Sequence, residues 1–147
     1  MEIKIRKAEE QDMPALLGLI KEFATFLNKP EKVKINIDDL IREKDHFQCL
    51  FAENDKGKIM GYALFFCTFH TWGGKAIYLD DLYIKEEYRR HSVGSMLIYA
   101  LVDQAKRQNC KSLRWQVLNW NKEAIDFYKK LGATVGDDNL NCDLAIK

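Results

Sequence analysis

The sequence lacks a long apolar segment and has almost no excess charge. No stretch approaches the roughly 20 apolar residues of a membrane-spanning helix, and the opening segment Met1–Ile5 alternates apolar with charged residues, unlike a signal peptide. The 23 lysines and arginines nearly balance the 22 aspartates and glutamates, so no net field attracts a nucleic acid. We therefore predict a cytoplasmic protein that binds neither a membrane nor a nucleic acid.

Cysteine is also sparse, and its spacing does not suit a metal. The four cysteines, Cys49, Cys67, Cys110 and Cys142, lie far apart, with no Cys-x-x-Cys pair and no histidine at ligand spacing. We predict no metal site, and we interpret the cysteines as reduced, buried small hydrophobic residues.

The predicted elements indicate one α/β (α+β) domain over residues 1–147, because no linker, repeat or low-complexity segment interrupts them. The apolar patterns predict strands at Ile3 to Ile5, Gln48 to Glu53, Ile59 to Phe69, Ala76 to Ile84, Ser112 to Asn119, Thr134 and Leu144, and helices around Leu16 to Leu27, Asp38 to Lys44, Leu97 to Ala105 and Lys122 to Leu131. A turn at 54–58 predicts an antiparallel hairpin. The strand–helix–strand unit around the third helix predicts a parallel βαβ crossover. The expected architecture is a mixed, mostly antiparallel central sheet with helices on both faces.

The stretch Tyr78–Ser95 organises the rest of the chain. It is a strand that enters a basic loop containing Arg89, Arg90 and His91, followed by Gly94 at the start of a helix. Backbone N–H groups at a helix N-terminus have no partner within the helix, and the helix dipole adds partial positive charge there. Arginine suits bidentate phosphate contacts. The stretch therefore predicts a phosphate or pyrophosphate site.

The spacing of Arg89, Ser92 and Gly94 resembles the Arg/Gln-x-x-Gly-x-Gly/Ala signature of the GNAT acetyltransferases, and Asn121 and Tyr128 fall where that family also needs them. Longer phrases at 72–81 and 120–133 resemble the spermidine/spermine and thialysine N-acetyltransferases. The resemblance implies the GNAT fold, acetyl-CoA as cosubstrate and a homodimer. It also implies acetyl transfer to a primary amine of a diamine or polyamine, or of a thialysine-like or lysine-like compound.

The resemblance also implies where the coenzyme binds. The strand backbone at Leu82 to Ile84 would contact the pantetheine arm, and one of its N–H groups would serve the oxyanion. Ser92 replaces a glycine of the family signature, and a left-handed backbone there would cost a serine roughly 1–2 kcal/mol. The implied coenzyme-binding residues are Leu82, Tyr83, Ile84, Arg89, Arg90, His91, Ser92, Val93, Gly94, Ser95, Asn121, Lys122, Glu123, Ala124 and Tyr128.

Two adjacent carboxylates, Asp80 and Asp81, stand in an apolar strand, where an unpaired charge is costly. Alkylamines have a pKa near about 10.4, so a transferase must favour loss of the amine proton. In the family a Glu at the position of Asp80 contacts the amine and leads its proton away, and the shorter Asp favours a water relay. The alternative is structural, with Asp80 in an ion pair and Asp81 capping a turn. Adjacent strand residues point to opposite faces.

Tyr128 is the candidate acid for the departing thiolate, since a phenol can donate a proton. It also completes an apolar helical stripe with Ala124, Phe127 and Leu131, so packing is the alternative interpretation. Asn121 can cap the last helix and, by the resemblance, contact the coenzyme.

The resemblance implies that the acceptor contacts Phe26, Leu27, Asp80, Asp81, Trp115 and Gln116. Polyamine acetyltransferases carry an acid at the position of Leu27, and Arg114 would repel a polycation, so a shorter amine or an amino acid side chain is an alternative acceptor. A peptide or protein N-acetyltransferase would need an open groove, whereas Phe26, Trp72 and Trp115 favour a closed pocket. Ser92 motivates a third hypothesis, a non-catalytic acyl-CoA-binding module.

Overall fold

The computed structural model describes residues 2–146, which form two compact units that divide after Trp115. The assignment of the whole chain to one domain stays a prediction. In the part of the chain that the structure describes, no helix has both the length and the apolar composition to cross a bilayer.

The first unit is a five-stranded mixed sheet with three α-helices. Its strands are β1 (Ile3–Lys7), β2 (Gln48–Asn54), β3 (Ile59–His70), β4 (Gly74–Ile84) and β5 (Ser112–Trp115), and its helices are α1 (Met13–Phe26), α2 (Ile37–Arg42) and α3 (Val93–Arg107). The strands lie in chain order, antiparallel from β1 to β4 and parallel between β4 and β5. The predicted mixed sheet and βαβ crossover are confirmed.

The two faces of the sheet carry different helices. Buried residues of α1 and α2, including Leu16 and Leu40, form one core cluster with Tyr62 and Leu64 of β3. On α3, Gln104 Nε2 donates to Gln48 Oε1 at 3.1 Å, and Gln48 lies directly opposite Phe65. Because adjacent residues of a regular strand point to opposite faces, α3 covers the face of Phe65 while α1 and α2 cover the face of Leu64. Helices on both faces are thus confirmed.

A β-bulge interrupts β4 at the two aspartates. Leu64 lies opposite Asp81, but its neighbour Phe65 lies opposite Leu79, so Asp80 is the extra residue. Directly opposed residues share a face. Leu79 therefore shares the α3 face with Phe65, whereas Asp81 shares the α1/α2 face with Leu64. The simple alternation expected for this strand fails here, and the bulge turns Asp81 onto the α1/α2 face.

The loop before α3 contains two non-glycine residues in the left-handed region. Arg90 has φ of 65°, and Ser92, the residue that precedes α3, has φ of 65° and ψ of 15°. Ser92 makes no side-chain capping hydrogen bond. Ser92 therefore has the left-handed backbone that was considered for this position. This conformation costs a serine roughly 1–2 kcal/mol.

The second unit contains α4 (Lys122–Lys130). The Asn121 side chain caps α4 by accepting from Ala124 N at 3.3 Å, and Gly132, with φ of 95°, follows its end. Within residues 116–146 the structure has no strand, so the strands predicted at Thr134 and Leu144 are wrong, as is the extension of the fifth strand to Asn119. Gly136 and the surrounding aspartates and asparagines disfavour strand pairing.

Replacing Ser92 with glycine tests the backbone strain at the start of α3. Because glycine adopts a left-handed backbone without the Cβ penalty, we expect Ser92→Gly to raise the melting temperature by about 2–8 °C. The matched control is Ser95→Gly, which lies inside α3. There glycine has the lower helix propensity, so we expect a small loss of stability, roughly 0.5 kcal/mol. A lower melting temperature for Ser92→Gly in calorimetry would contradict the assignment of strain.

Candidate active site

The two aspartates of the β4 bulge lie in different surroundings. Asp80 is exposed, whereas Asp81 is partly buried and accepts a hydrogen bond from the Tyr62 hydroxyl, with 2.9 Å between Tyr62 Oη and Asp81 Oδ2. Tyr62 itself has 0% exposure. Among residues 2–146, neither aspartate forms an ion pair with a lysine or arginine. These contacts therefore do not match the purely structural alternative, in which Asp80 forms an ion pair and Asp81 caps a turn.

The pKa values of both carboxyl groups are raised. Loss of hydration raises the pKa of Asp80. Burial, and secondarily the charge of Asp80, raise the pKa of Asp81 to about 6, while the hydrogen bond from Tyr62 opposes that rise. Asp81 thus exchanges a proton close to neutral pH, where an unperturbed aspartate would not.

A second group of side chains joins the end of α1 to the end of β4. The Tyr83 hydroxyl donates to Glu22 Oε2 at 2.7 Å, and Lys85 Nζ lies 3.5 Å from Glu22 Oε1. The Arg89 guanidinium carbon lies 4.5 Å from the centre of the Phe26 ring. Phe26, an expected acceptor contact, therefore lies beside Arg89, an expected phosphate contact. Leu27, the other expected contact, is the C-cap residue that immediately follows α1.

Arg89 is tied to the end of β4. Its Nε donates to the Ile84 carbonyl at 3.0 Å, which uses one of the five N–H donors of the guanidinium. The carbonyl of Ile84, a backbone group expected to be available to pantetheine, thus accepts from Arg89 in this structure. Tyr83 in the same strand is buried, and Leu82 and Ile84 are partly buried.

The loop between β4 and α3 presents polar groups to solvent. Arg90, His91 and Ser92 are exposed, and Val93 is buried as the first residue of α3. The N–H groups of the first helical turn, Val93–Ser95, have no acceptor one turn earlier in a helix. The two left-handed residues thus deliver an exposed basic loop to a helix N-terminus, as an anion site requires.

The second unit holds all but one of the remaining predicted residues. Tyr128 is buried, and that burial raises the pKa of its phenol to about 12, so it stays protonated at neutral pH. The Phe127 ring lies 5.5 Å from it, tilted by 53°. Lys122 and Glu123 are exposed in the first turn of α4, and Ala124 is partly buried. Gln116 Nε2 donates to Asn141 Oδ1 at 2.9 Å. Trp115, partly buried, is the last residue of β5 in the first unit.

Two polar partners were missed in the sequence, Tyr62 and Glu22. Tyr62 hydrogen-bonds Asp81, and Glu22 hydrogen-bonds Tyr83. Asp81 and Tyr83 were both predicted site residues. Glu22 belongs to the phrase Ile20 to Glu22 of the first helix, which also resembles the spermidine/spermine and thialysine N-acetyltransferases, but no role was predicted for it. In the sequence, Tyr62 is one more aromatic residue of an apolar strand. Its hydroxyl could have indicated a polar partner, because a buried tyrosine hydroxyl usually forms a hydrogen bond.

The sequence matches the family model described as "Acetyltransferase (GNAT) family" over residues 13–133. Thialysine N-epsilon-acetyltransferase of Bos taurus is 38% identical over 142 residues, covering 89% of this chain and 84% of that protein. Spermidine/spermine N(1)-acetyltransferase-like protein 1 of Homo sapiens is 34% identical, covering 88% of this chain and 20% of that protein. L-ornithine N5-acetyltransferase NATA1 of Arabidopsis thaliana is 33% identical, covering 78% and 48%.

Solved structures agree on the fold. An aminoglycoside acetyltransferase from an uncultured soil metagenomic sample superposes with a TM-score of 0.82 at 20% identity, covering 99% of this chain and 97% of that one. Ribosomal-protein-alanine N-acetyltransferase from Brucella melitensis biovar Abortus 2308 superposes with a TM-score of 0.80 at 18% identity, covering 98% and 100%. The sequence matches and the shared fold together establish that this chain is an N-acetyltransferase of the GNAT family.

Proposed function

We propose that this chain transfers the acetyl group of acetyl-CoA to the primary amine of a small molecule, either a lysine-like amino acid or a diamine. The observation that carries the proposal is the pair of carboxylates at the β4 bulge, which have no lysine or arginine partner among residues 2–146. An opposite charge favours the ionised form of a carboxylate whose pKa is raised by burial. An ammonium group is therefore a ligand that suits this pair.

The relatives support an acceptor of this size. Two of them are named for acetylating thialysine and L-ornithine. Both compounds are amino acids with a terminal primary amine, and the chain is 38% and 33% identical to these proteins.

We propose that the pyrophosphate of acetyl-CoA binds at the N-terminus of α3. The exposed Arg90 and His91, the N–H groups of the first turn and the Cβ-free Gly94 suit a doubly charged group that must approach the backbone closely. Arg89 has N–H donors beyond the one that bonds Ile84. Asn121 and the first turn of α4 are proposed to contact the coenzyme as well.

In the proposed reaction, Asp80 receives the ammonium and leads one of its protons to water. The neutral amine nitrogen then forms a bond to the thioester carbonyl carbon and releases its second proton to solvent, and the carbon–sulfur bond breaks. Tyr128 donates its phenolic proton to the departing thiolate and regains a proton from solvent. Its pKa of about 12 keeps it protonated at neutral pH, which a proton donor requires.

Removing each proton-handling group should have a different kinetic effect. Tyr128→Phe keeps the ring and deletes the hydroxyl, so we expect kcat to fall roughly 10²–10⁴-fold with acetyl-CoA affinity nearly unchanged. Asp80→Asn removes a charge that the arriving ammonium senses, so we expect a higher KM for the amine, a lower kcat and a shifted rising limb of the pH–rate profile. Steady-state kinetics and calorimetry with acetyl-CoA would measure both.

The matched control is Tyr99→Phe, which deletes a hydroxyl from the exposed side of α3 and should leave turnover unchanged. Small and equal effects of Tyr128→Phe and Asp80→Asn would mean that solvent handles the protons and that the enzyme acts by positioning.

Arg114 is proposed to select against polycations. It lies opposite Tyr78 on the edge strand β5, and the pKa of Tyr78, raised mainly by burial, is raised further by Asp80 and lowered by Arg114. A positive and a negative charge thus act on one phenol. An acceptor that carries both an ammonium and a carboxylate suits this arrangement better than a polyamine does.

Matched acceptors that differ only in a carboxylate test this selection. We expect kcat/KM for lysine and ornithine to exceed that for cadaverine and putrescine by roughly 2- to 5-fold, the range for one exposed charge pair. Arg114→Gln should remove that preference. Arg107→Gln, the same charge change at the exposed end of α3, should keep it. A preference for the diamines in the unsubstituted enzyme would contradict the role of Arg114.

We also propose a homodimer, in line with the resemblance. Phe69 and Trp72, near the turn between β3 and β4, are 75% and 100% exposed. Large apolar side chains of this kind favour a contact with another copy of the chain. Light scattering at micromolar concentration should give twice the monomer mass of 17.2 kDa. A Phe69→Ser/Trp72→Ser variant should give the monomer mass, whereas Tyr99→Ser should not. A monomer mass for the unsubstituted chain would overturn this proposal.

A further inference from the structure

Tyr62 is a buried polar residue that the proposed reaction does not use. It lies in the middle of β3 with 0% exposure, and its ring meets that of Tyr83 edge to face at 6.4 Å. Its hydroxyl donates to Asp81 Oδ2 at 2.9 Å. A buried hydroxyl is costly unless it is hydrogen-bonded, and Asp81 is its partner.

We propose that Tyr62 is a positioning residue of the acetyl transfer, whose hydroxyl holds Asp81 Oδ2 and leaves Asp81 Oδ1 to accept from the acceptor ammonium. The inference rests on the proposed function. Tyr62 acts through Asp81 and does not itself reach the amine.

The second oxygen of Asp81 is accessible from solvent. Among the described residues, no buried side-chain oxygen lacks a hydrogen-bond partner. No side-chain or backbone donor bonds Asp81 Oδ1 within residues 2–146, so this oxygen is one that solvent, or a ligand, can reach. The geometry therefore assigns one oxygen to the protein interior and the other to the outside.

The bulge explains why a tyrosine is needed at this position. It turns Asp81 onto the α1/α2 face, where the hydroxyl of Tyr83 already donates to Glu22 and the thiol of Cys49 to the Leu50 carbonyl. A carboxylate there would rotate or become protonated without one fixed partner. The hydroxyl of Tyr62, on the same face, supplies that partner without adding a charge that would compete with the ammonium.

Few other titratable groups act on this carboxylate. Asp80 lies beside it in the same strand, and its charge raises the pKa of Asp81. Cys49 of β2, opposite Leu64, senses the charge of Asp81, but burial raises its own pKa, so it stays neutral. Further away, Glu22 of α1 bonds Tyr83, and Asp12 is paired with Arg6. Among residues 2–146, Tyr62 therefore provides the one hydrogen bond that favours the ionised form of Asp81.

Tyr62→Phe deletes this hydroxyl and retains the ring. Because the hydrogen bond from Tyr62 lowers the pKa of Asp81, we expect its loss to move the carboxyl titration upward from about 6, measured by carbon-13 NMR of labelled aspartate in the enzyme without substrate. We expect kcat/KM for lysine to fall roughly 10-fold or more near pH 6.5 through a higher amine KM, with the KM for acetyl-CoA unchanged. Tyr99→Phe is the control.

A double-mutant cycle separates positioning from a structural role. If Tyr62 acts through Asp81, Tyr62→Phe should have almost no further effect on the amine KM in an Asp81→Asn background. Equal effects in both backgrounds, or an unchanged titration of Asp81 in a folded Tyr62→Phe variant, would overturn the inference. Absence of turnover by the unsubstituted enzyme on every amine would instead overturn the proposed function, and the NMR titration would still decide whether Tyr62 controls Asp81.

Discussion

The bulge at Asp80 is the constraint on which the arrangement of the site depends. A one-residue change of register moves every later side chain of a strand to the opposite face. In the same strand without the bulge, Asp81 would share a face with Leu79 and enter the apolar core beneath α3. With it, Leu79 stays in that core and Asp81 turns to the face that α1 and α2 cover. One inserted residue thus lets an apolar strand carry a carboxylate without placing it beneath α3.

The carboxylates of the bulge oppose the stability of the fold. Two adjacent negative charges that lose hydration repel each other, and the pKa of Asp81 rises from 3.8 to about 6. A group whose pKa is higher in the folded state stabilises that state most below its unfolded pKa, and this contribution is lost as the pH rises through the folded pKa. Ionised Asp81 is therefore unfavourable for folding near neutral pH, and such unfavourable groups cluster at functional sites.

Local patterns predicted much of the fold, and non-local pairing accounts for the failures. The order of helices and strands up to Trp115, the hairpin at 54–58 and the parallel crossover follow from periodicity and turn residues. The bulge does not follow from the sequence pattern. Tyr78–Tyr83 is predicted as one strand whether or not one of its residues is left unpaired. Leu140 and Leu144 alternate like a strand, yet they are 90% and 88% exposed and pair with no strand. Alternation shows that a segment suits a sheet, but it does not identify a strand with which the segment pairs. The roles of Asp80 and Tyr128 remain predictions.

Arg89 connects the two functions expected of the first unit. The signature in the sequence assigns it to the coenzyme, yet its Nε bonds the last carbonyl of β4 and its guanidinium stacks on Phe26 of α1. Tyr83, 5.8 Å from that guanidinium, hydrogen-bonds Glu22 of the same helix. An arginine fixed on both sides loses less side-chain entropy when an anion binds. The contact between Arg89 and Phe26 therefore joins the loop before α3 to the end of α1, where an acceptor contact is expected.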